Sequence, residues 1–112
     1  MIEIRSYHYD PDKFEAYKKW AVEEAVPFLK ANLDLVGFWL DNGTPAEVSG
    51  SRPMDMELGS ANITWAIRWD STEARQKGFD EVLGGDGWQA IWARHPDANG
   101  YLQMEARFTE EV

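Results

Sequence analysis

The chain spells one pattern twice. Ile2-Glu3-Ile4-Arg5-Ser6-Tyr7-His8-Tyr9 alternates with the two-residue period of a strand, and Asp10-Pro11 then opens a helix. Ile63-Thr64-Trp65-Ala66-Ile67-Arg68-Trp69 alternates again, and Asp70-Ser71 opens a second helix. A further strand follows each helix. A β-α-β unit repeated within 112 residues predicts one domain, over residues 1–112. The expected architecture is α+β: a ferredoxin-like split β-α-β sandwich (β-α-β-β-α-β) with an antiparallel four-stranded sheet and both helices on one face.

Local signals set the boundaries. Asp10 is a good N-cap, and Pro11 stands where its missing N–H is not needed. Phe14, Tyr17, Ala21, Ala25 and Phe28 follow at helical spacing, and Pro27 predicts a helix that ends near Val26, with a looser turn to Asn32. A second strand is expected over 35–40, where Gly37 suggests a bulge or a close backbone approach. Residues 41–59, with Gly43, Pro45, Gly50, Pro53 and Gly59, read as a long loop whose Met54, Met56 and Leu58 could fold back over a pocket. The third strand is expected over 61–69. Gly84-Gly85-Asp86-Gly87 breaks the second helix; a further helical piece over 88–94 stops at Pro96, and the last strand covers 100–108.

Alternation gives the first strand two faces, Ile2, Ile4, Ser6 and His8 on one and Glu3, Arg5, Tyr7 and Tyr9 on the other. The aliphatic face is expected under the helices. The opposite side of the sheet then collects Glu3, Arg5 and Tyr7 with Asn62, Thr64, Arg68, Gln103, Glu105 and Arg107. This is either a solvated face, common in antiparallel sheets, or the polar wall of an interior closed by a second sheet.

Composition removes several function classes. The net charge of −9 opposes phosphate binding, so neither nucleic acid nor an anionic membrane surface is an expected partner. No apolar run is long enough to cross a bilayer. The chain has no cysteine, which excludes disulfides, thiolate catalysis and cysteine-held metal, and fits a cytoplasmic location. Two isolated histidines give no metal-ligand spacing, no P-loop or nucleophile elbow is present, and no motif calls for a cofactor. Six tryptophans, five phenylalanines and four tyrosines supply abundant flat apolar surface.

A few side chains carry chemistry. His8 is a candidate acid or base, set against the simpler reading that it packs beneath the first helix. His95, between Arg94 and Pro96, suits a cation at a helix C-terminus. Arg5, Arg68 and Arg107 form either an anion-holding set or cross-strand ion pairs with Glu3 and Glu105. Tyr7 beside Arg5 could donate a hydrogen bond to a substrate oxygen. Trp65, Trp69, Trp88 and Trp92 read as core, and Trp39 as the rim of a pocket under the long loop.

Four segments carry a family likeness. Ile2-Glu3-Ile4-Arg5-Ser6-Tyr7 resembles the first strand of NIPSNAP-family proteins, with its aliphatic-Glu-aliphatic-Arg-small-Tyr pattern. Val36-Gly37-Phe38-Trp39 resembles their second strand, Ile63 to Ser71 the strand that ends in an aromatic-Asp-Ser step, and Gly87-Trp88-Gln89-Ala90 the Trp-Gln stretch of the last helix. The resemblance implies a dimeric α+β barrel, two four-stranded sheets closing face to face, and a poorly defined biochemical role. It also implies a superfamily that includes cofactor-free oxygenases, haem-degrading enzymes and isomerases, and proteins with no known activity. The 41–59 loop is longer than the usual connection of that family.

The expectation is therefore a homodimer that binds a small aromatic or anionic organic molecule, in a cleft between sheet and helices or at a barrel mouth. Tyr7, Arg5, His8, Trp39, Trp65 and Arg68 are its candidate lining. One alternative is a cofactor-independent oxygenase or isomerase, with His8 or Tyr7 abstracting a proton and Arg5 or Arg68 stabilising the oxyanion. Another is a non-catalytic interaction domain that docks a partner on the long loop.

Overall fold

In the computed structural model, residues 1–52, 54 and 57–112 are described. The elements run β1 (Ile2–Tyr9), α1 (Phe14–Trp20), α2 (Val26–Asn32), β2 (Leu35–Leu40), β3 (Ile63–Arg68), α3 (Thr72–Gly78), α4 (Asp86–Trp92) and β4 (Tyr101–Thr109). The four strands form one antiparallel sheet in the order β2-β3-β1-β4. This is the ferredoxin-like arrangement expected from the repeated β-α-β pattern. The 41–52 segment is exposed and holds no helix or strand. Met56 lies outside the described residues.

Asp10 caps the first helical stretch through the Asp12 N–H, and Pro11 begins it. The stretch then passes straight through Pro27. Proline lacks the N–H that would bond the Glu23 carbonyl, and its ring crowds that oxygen. The chain absorbs this just upstream by widening into a π turn, Ala21–Ala25, where the Val26 N–H reaches back to the Ala21 carbonyl. The expected end near Val26 is thus replaced by continuous helical structure to Asn32. The second half repeats the device. Ser71 caps α3 through the Ala74 N–H, and a π turn, Phe79–Leu83, closes with Gly84 N–H to Phe79 O at 3.0 Å.

The sheet meets the helices through the face opposite to the one expected for β1. Directly opposed residues of antiparallel strands share a face. Glu3, Arg5 and Tyr7 oppose Ile67, Trp65 and Ile63, all three buried core. Ile2, Ile4, Ser6 and His8 therefore lie on the bare face, with Thr64, Ala66 and Arg68 of β3 and Gln103, Glu105 and Arg107 of β4. Greasiness alone misassigns this strand because Glu3 is satisfied inside. Its carboxylate accepts from Trp69 Nε1 (3.1 Å) and from Arg75 Nε (3.0 Å) and Nη2 (3.3 Å). Tyr7 and Tyr9, 5% and 1% exposed, fill more core volume than the isoleucines could. The core runs from these tyrosines through Tyr17, Trp20, Ala21, Ala25 and Leu29 to Ile63, Ile67 and Trp69.

Gly37 fulfils the expected close approach. The β2–β3 register shifts there, and a Cβ on Gly37 would stand 2.3 Å from the Trp39 ring. The larger part of the Trp39 surface stays exposed. No described helix is long and apolar enough to cross a membrane.

Candidate functional site

Between the covered face of the sheet and the helices lies a cavity of about 380 Å³. Arg5 and Tyr7 of β1, Phe38 of β2, Trp65 of β3 and Tyr101 and Met104 of β4 form its floor. Tyr17, Trp20, Ala25 and Leu29 wall one side; Phe79, Leu83, Trp88, Gln89 and Trp92 wall the other. Both π turns contribute to the lining, through Ala25 and through Phe79 and Leu83. The exposed members, Gln89, Trp92 and Met104, place the mouth between α4 and the β4 edge.

The walls are aromatic and the charge is of one sign. The chain carries 20 acidic residues, yet none lines the cavity among the described residues. Among the described residues its sole charged lining group is Arg5. The Arg5 guanidinium lies 5.7 Å from the centre of the Trp65 ring and 5.1 Å from that of Phe79. Its Nε stands 3.2 Å from Glu3 Oε2, close enough to pair as ions, but it is not aligned for a hydrogen bond. Glu3 spends its hydrogen-bonding capacity on Arg75 and Trp69. Two guanidiniums thus share one buried carboxylate, which leaves a net positive charge beside the cavity.

Hydroxyls and the Gln89 amide, whose Nε2 donates to Gly84 O, supply further polarity. Burial pushes the Tyr7 phenol up, against the neighbouring Arg5 cation and the Trp65 and Arg5 donors, which pull it down. Burial pushes Tyr17 and Tyr101 far above the ordinary phenol range. All three stay protonated at neutral pH. Tyr101 also contacts His95 behind the wall, Nε2 to Oη at 2.8 Å. His95 packs among Tyr9, Tyr17, Trp20 and Trp92, and burial holds its pKa below the usual imidazole value. A neutral imidazole replaces the cation expected at the helix end.

The residues expected to line a site fall on two sides of the sheet. Arg5, Tyr7 and Trp65 come together in the cavity. His8 is on the bare face, where its Nε2 bonds Gly59 O at 2.9 Å beside Ser6, Met54, Leu58, Gln103 and Glu105. The sheet separates it from Arg5. Arg68 is at the surface, held by both Glu111 oxygens (3.0 and 2.8 Å) and near Asp34 (3.7 Å). Trp39 lies on the bare face, away from the cavity. Tyr17, Trp20, Trp88, Trp92 and Tyr101 were not among the residues expected at a site. Helical spacing reads Tyr17, Trp88 and Trp92 as packing, and Trp20 stands outside the stripe expected for the first helix. The one available signal was the density of aromatics over 88–101 around a histidine. Among the described residues, no group of three or more His, Asp or Glu is placed to hold a metal ion.

Fold and cavity define the class: a ferredoxin-like α+β sandwich with an aromatic, acid-free chamber under its helices. The likeness to solved structures agrees with the resemblance read from the four sequence segments. A NIPSNAP domain protein from Burkholderia xenovorans superposes with a TM-score of 0.71 at 17% identity, over 99% of this chain and 93% of that one. A NIPSNAP family protein from Agrobacterium tumefaciens gives 0.69 at 19% identity, over 95% and 80%. HapK from Hahella chejuensis gives 0.52 at 13% identity, over 100% and 95%. This chain has the fold of the NIPSNAP-family structures. No family model matches the chain, and no curated protein matches it in sequence.

Proposed function

We propose that the protein binds a small planar organic anion, aromatic in its body, in the cavity between sheet and helices. The observation that carries this reading is Arg5, among the described residues the lone charge in an aromatic chamber without acids, in a chain with net charge −9. A cavity of about 380 Å³ suits one or two fused rings, within the usual range of about 300–1,000 Å³ for ligand sites. Aromatic walls favour a flat apolar body. The guanidinium and the protonated phenols favour an oxygen that accepts hydrogen bonds.

We propose, independently of the ligand, that the protein is a homodimer. β4 and β2 are free edges, and the bare face presents Ile2 and Ile4 with a balanced set of polar groups. Two such faces stacked at the ordinary sheet-packing distance would form the barrel that the family resemblance implies. Of the two further alternatives, proton abstraction by His8 would need a ligand on the bare face, apart from Arg5.

The test is tryptophan fluorescence and thermal shift with benzoate, salicylate and naphthoate, against the uncharged benzyl alcohol. The acids are expected to quench and to stabilise, and Arg5→Gln to abolish both effects. Silence toward all the acids, or an undiminished response in Arg5→Gln, overturns the reading.

A further inference from the structure

We infer that Tyr101, aligned by His95, is a specificity residue of the cavity: a one-way hydrogen-bond donor that makes the site select the deprotonated form of an aromatic oxygen acid. This inference rests on the cavity being the ligand site. It starts from a backbone group.

The Asp97 N–H donates to Nδ1 of His95 at 3.1 Å. A nitrogen that accepts a hydrogen bond carries no proton, so in the neutral ring the proton is on Nε2. Nε2 faces the Tyr101 hydroxyl at 2.8 Å and therefore donates to it. The Tyr101 oxygen is the acceptor, and its own proton turns away from His95, to the side of Tyr17, with which Tyr101 shares the cavity wall. The direction of this chain does not depend on any ligand.

The turn that starts the chain is itself fixed. Asp97 accepts from Lys13 Nζ (2.5 Å) and from Asn99 N (2.8 Å) through its carboxylate. Its carbonyl accepts from the Tyr9 hydroxyl at 2.6 Å. Pro96 stiffens the link back to His95. Trp92 stacks on the Tyr101 ring, with planes 7° apart and centres 6.2 Å apart. The phenol is thus held by its ring on one side and by its oxygen on the other.

Tyr7 repeats the logic more weakly, since the neighbouring Trp65 and Arg5 donors both act on its oxygen. The chamber therefore offers Arg5, the O–H groups and the Gln89 amide, and among the described residues no carboxylate to receive a proton. A neutral phenol or carboxylic acid would find only neutral acceptors for its own proton, the hydroxyl oxygens and the Gln89 amide oxygen. The anion meets them with lone pairs. On binding, the acid's O–H bond breaks, the electron pair stays on the ligand oxygen, and the proton leaves to solvent.

The probes are para-nitrophenol, whose phenolate absorbs separately from the phenol, and benzoate, which is already ionised at neutral pH. Dye bound to the wild-type protein is expected to titrate well below free dye, with the phenolate held at least ~10-fold tighter than the phenol. Tyr101→Phe and His95→Leu should each remove several-fold of that preference. His95→Gln, which keeps an amide donor for Tyr101 and an acceptor for Asp97, should restore most of it. The His95 pair carries the comparison independently of whether Tyr101→Phe folds. Bound dye that titrates like free dye overturns the inference and leaves the ligand site standing, as does equal preference in His95→Leu and His95→Gln. Failure of both para-nitrophenol and benzoate to bind overturns the ligand site and the inference together.

Discussion

Glu3 and Arg75, 72 residues apart in sequence, meet as a two-pronged pair: Nε to Oε1 at 3.0 Å and Nη2 to Oε2 at 3.3 Å. The carboxylate has no exposed surface, whereas the Arg75 side chain keeps about a fifth of its own. The pair ties β1 to α3, and its carboxylate also stands 3.2 Å from Arg5 Nε. Removing one partner of a buried pair strands the other. Glu3→Gln keeps the volume and leaves two guanidiniums without a counter-charge, so it should lower unfolding stability by about 3 kcal/mol, the bottom of the range because Arg75 reaches solvent. Urea unfolding measures this. A loss below ~1 kcal/mol would show that the carboxylate is dispensable.

His95 makes stability depend on pH. Burial lowers its folded pKa, and the Asp97 carboxylate, itself paired with Lys13, offsets this only in part. The surrounding groups are the Tyr9, Tyr17 and Tyr101 phenols, all protonated. The unfolded chain titrates this histidine near 6.5. As pH falls below that value the unfolded state takes up a proton first, so the native state loses stability; above it the contribution is fully present. Protonation at Nδ1 would also turn a second donor toward the Asp97 N–H. Between about pH 7 and about pH 5 the wild-type urea midpoint should fall, and in His95→Gln it should fall distinctly less. Asp97 and Glu111, held low by Lys13 and Arg68, titrate further down and leave that window clear.

Gly100 is fixed by Tyr9. A Cβ at Gly100 would stand 2.4 Å from Cζ of the tyrosine ring. That ring is 1% exposed and its hydroxyl is tied to Asp97 O, so it has nowhere to go. Gly100→Ala should therefore cost about 1–3 kcal/mol as overpacking, and should loosen the turn that orients His95. Equal urea midpoints for the variant and the wild type would mean that Tyr9 can shift after all.

Much of this architecture was legible in the sequence because it rests on local signals. Asp10-Pro11 and Ser71 start helices through their own side chains or rings, and β-branched and aromatic alternation marks strands wherever they pair. Two things needed tertiary information. Pro27 reads as a stop, and the π turn that lets the helix continue has no sequence signature of its own. The facing of β1 depends on Arg75 and Trp69, which lie far along the chain and make Glu3 tolerable inside. Hydrophobicity ranks Ile2 and Ile4 above Glu3 and Arg5, and tertiary pairing reverses that order. The cavity inherits the same limit. Arg5, Tyr7 and Trp65 could be singled out from composition on adjacent strands, but His8 follows Tyr7 and so points the other way. Tyr101 could not be assigned a role until its oxygen was seen to face His95.

The reversed facing changes what a dimer must look like. The tyrosines lie under this chain's own helices, so a partner sheet would meet Ile2 and Ile4 instead, next to the end where Leu58 and Gly59 lie against Ser6 and His8. Ile4 opposes Ala66 on β3 and Arg107 on β4, which sets it in the middle of the bare face. A lysine there would put an unpaired charge into a closed sheet-on-sheet contact, but it would sit in water on a solvated one. Wild-type protein should sediment as a dimer at micromolar concentration, and Ile4→Lys as a folded monomer with an unchanged far-ultraviolet spectrum. Arg5→Gln changes the other face and should stay dimeric. A wild-type chain that sediments as a monomer would remove the face-to-face barrel, while the aromatic chamber, built within one chain, would keep its argument intact.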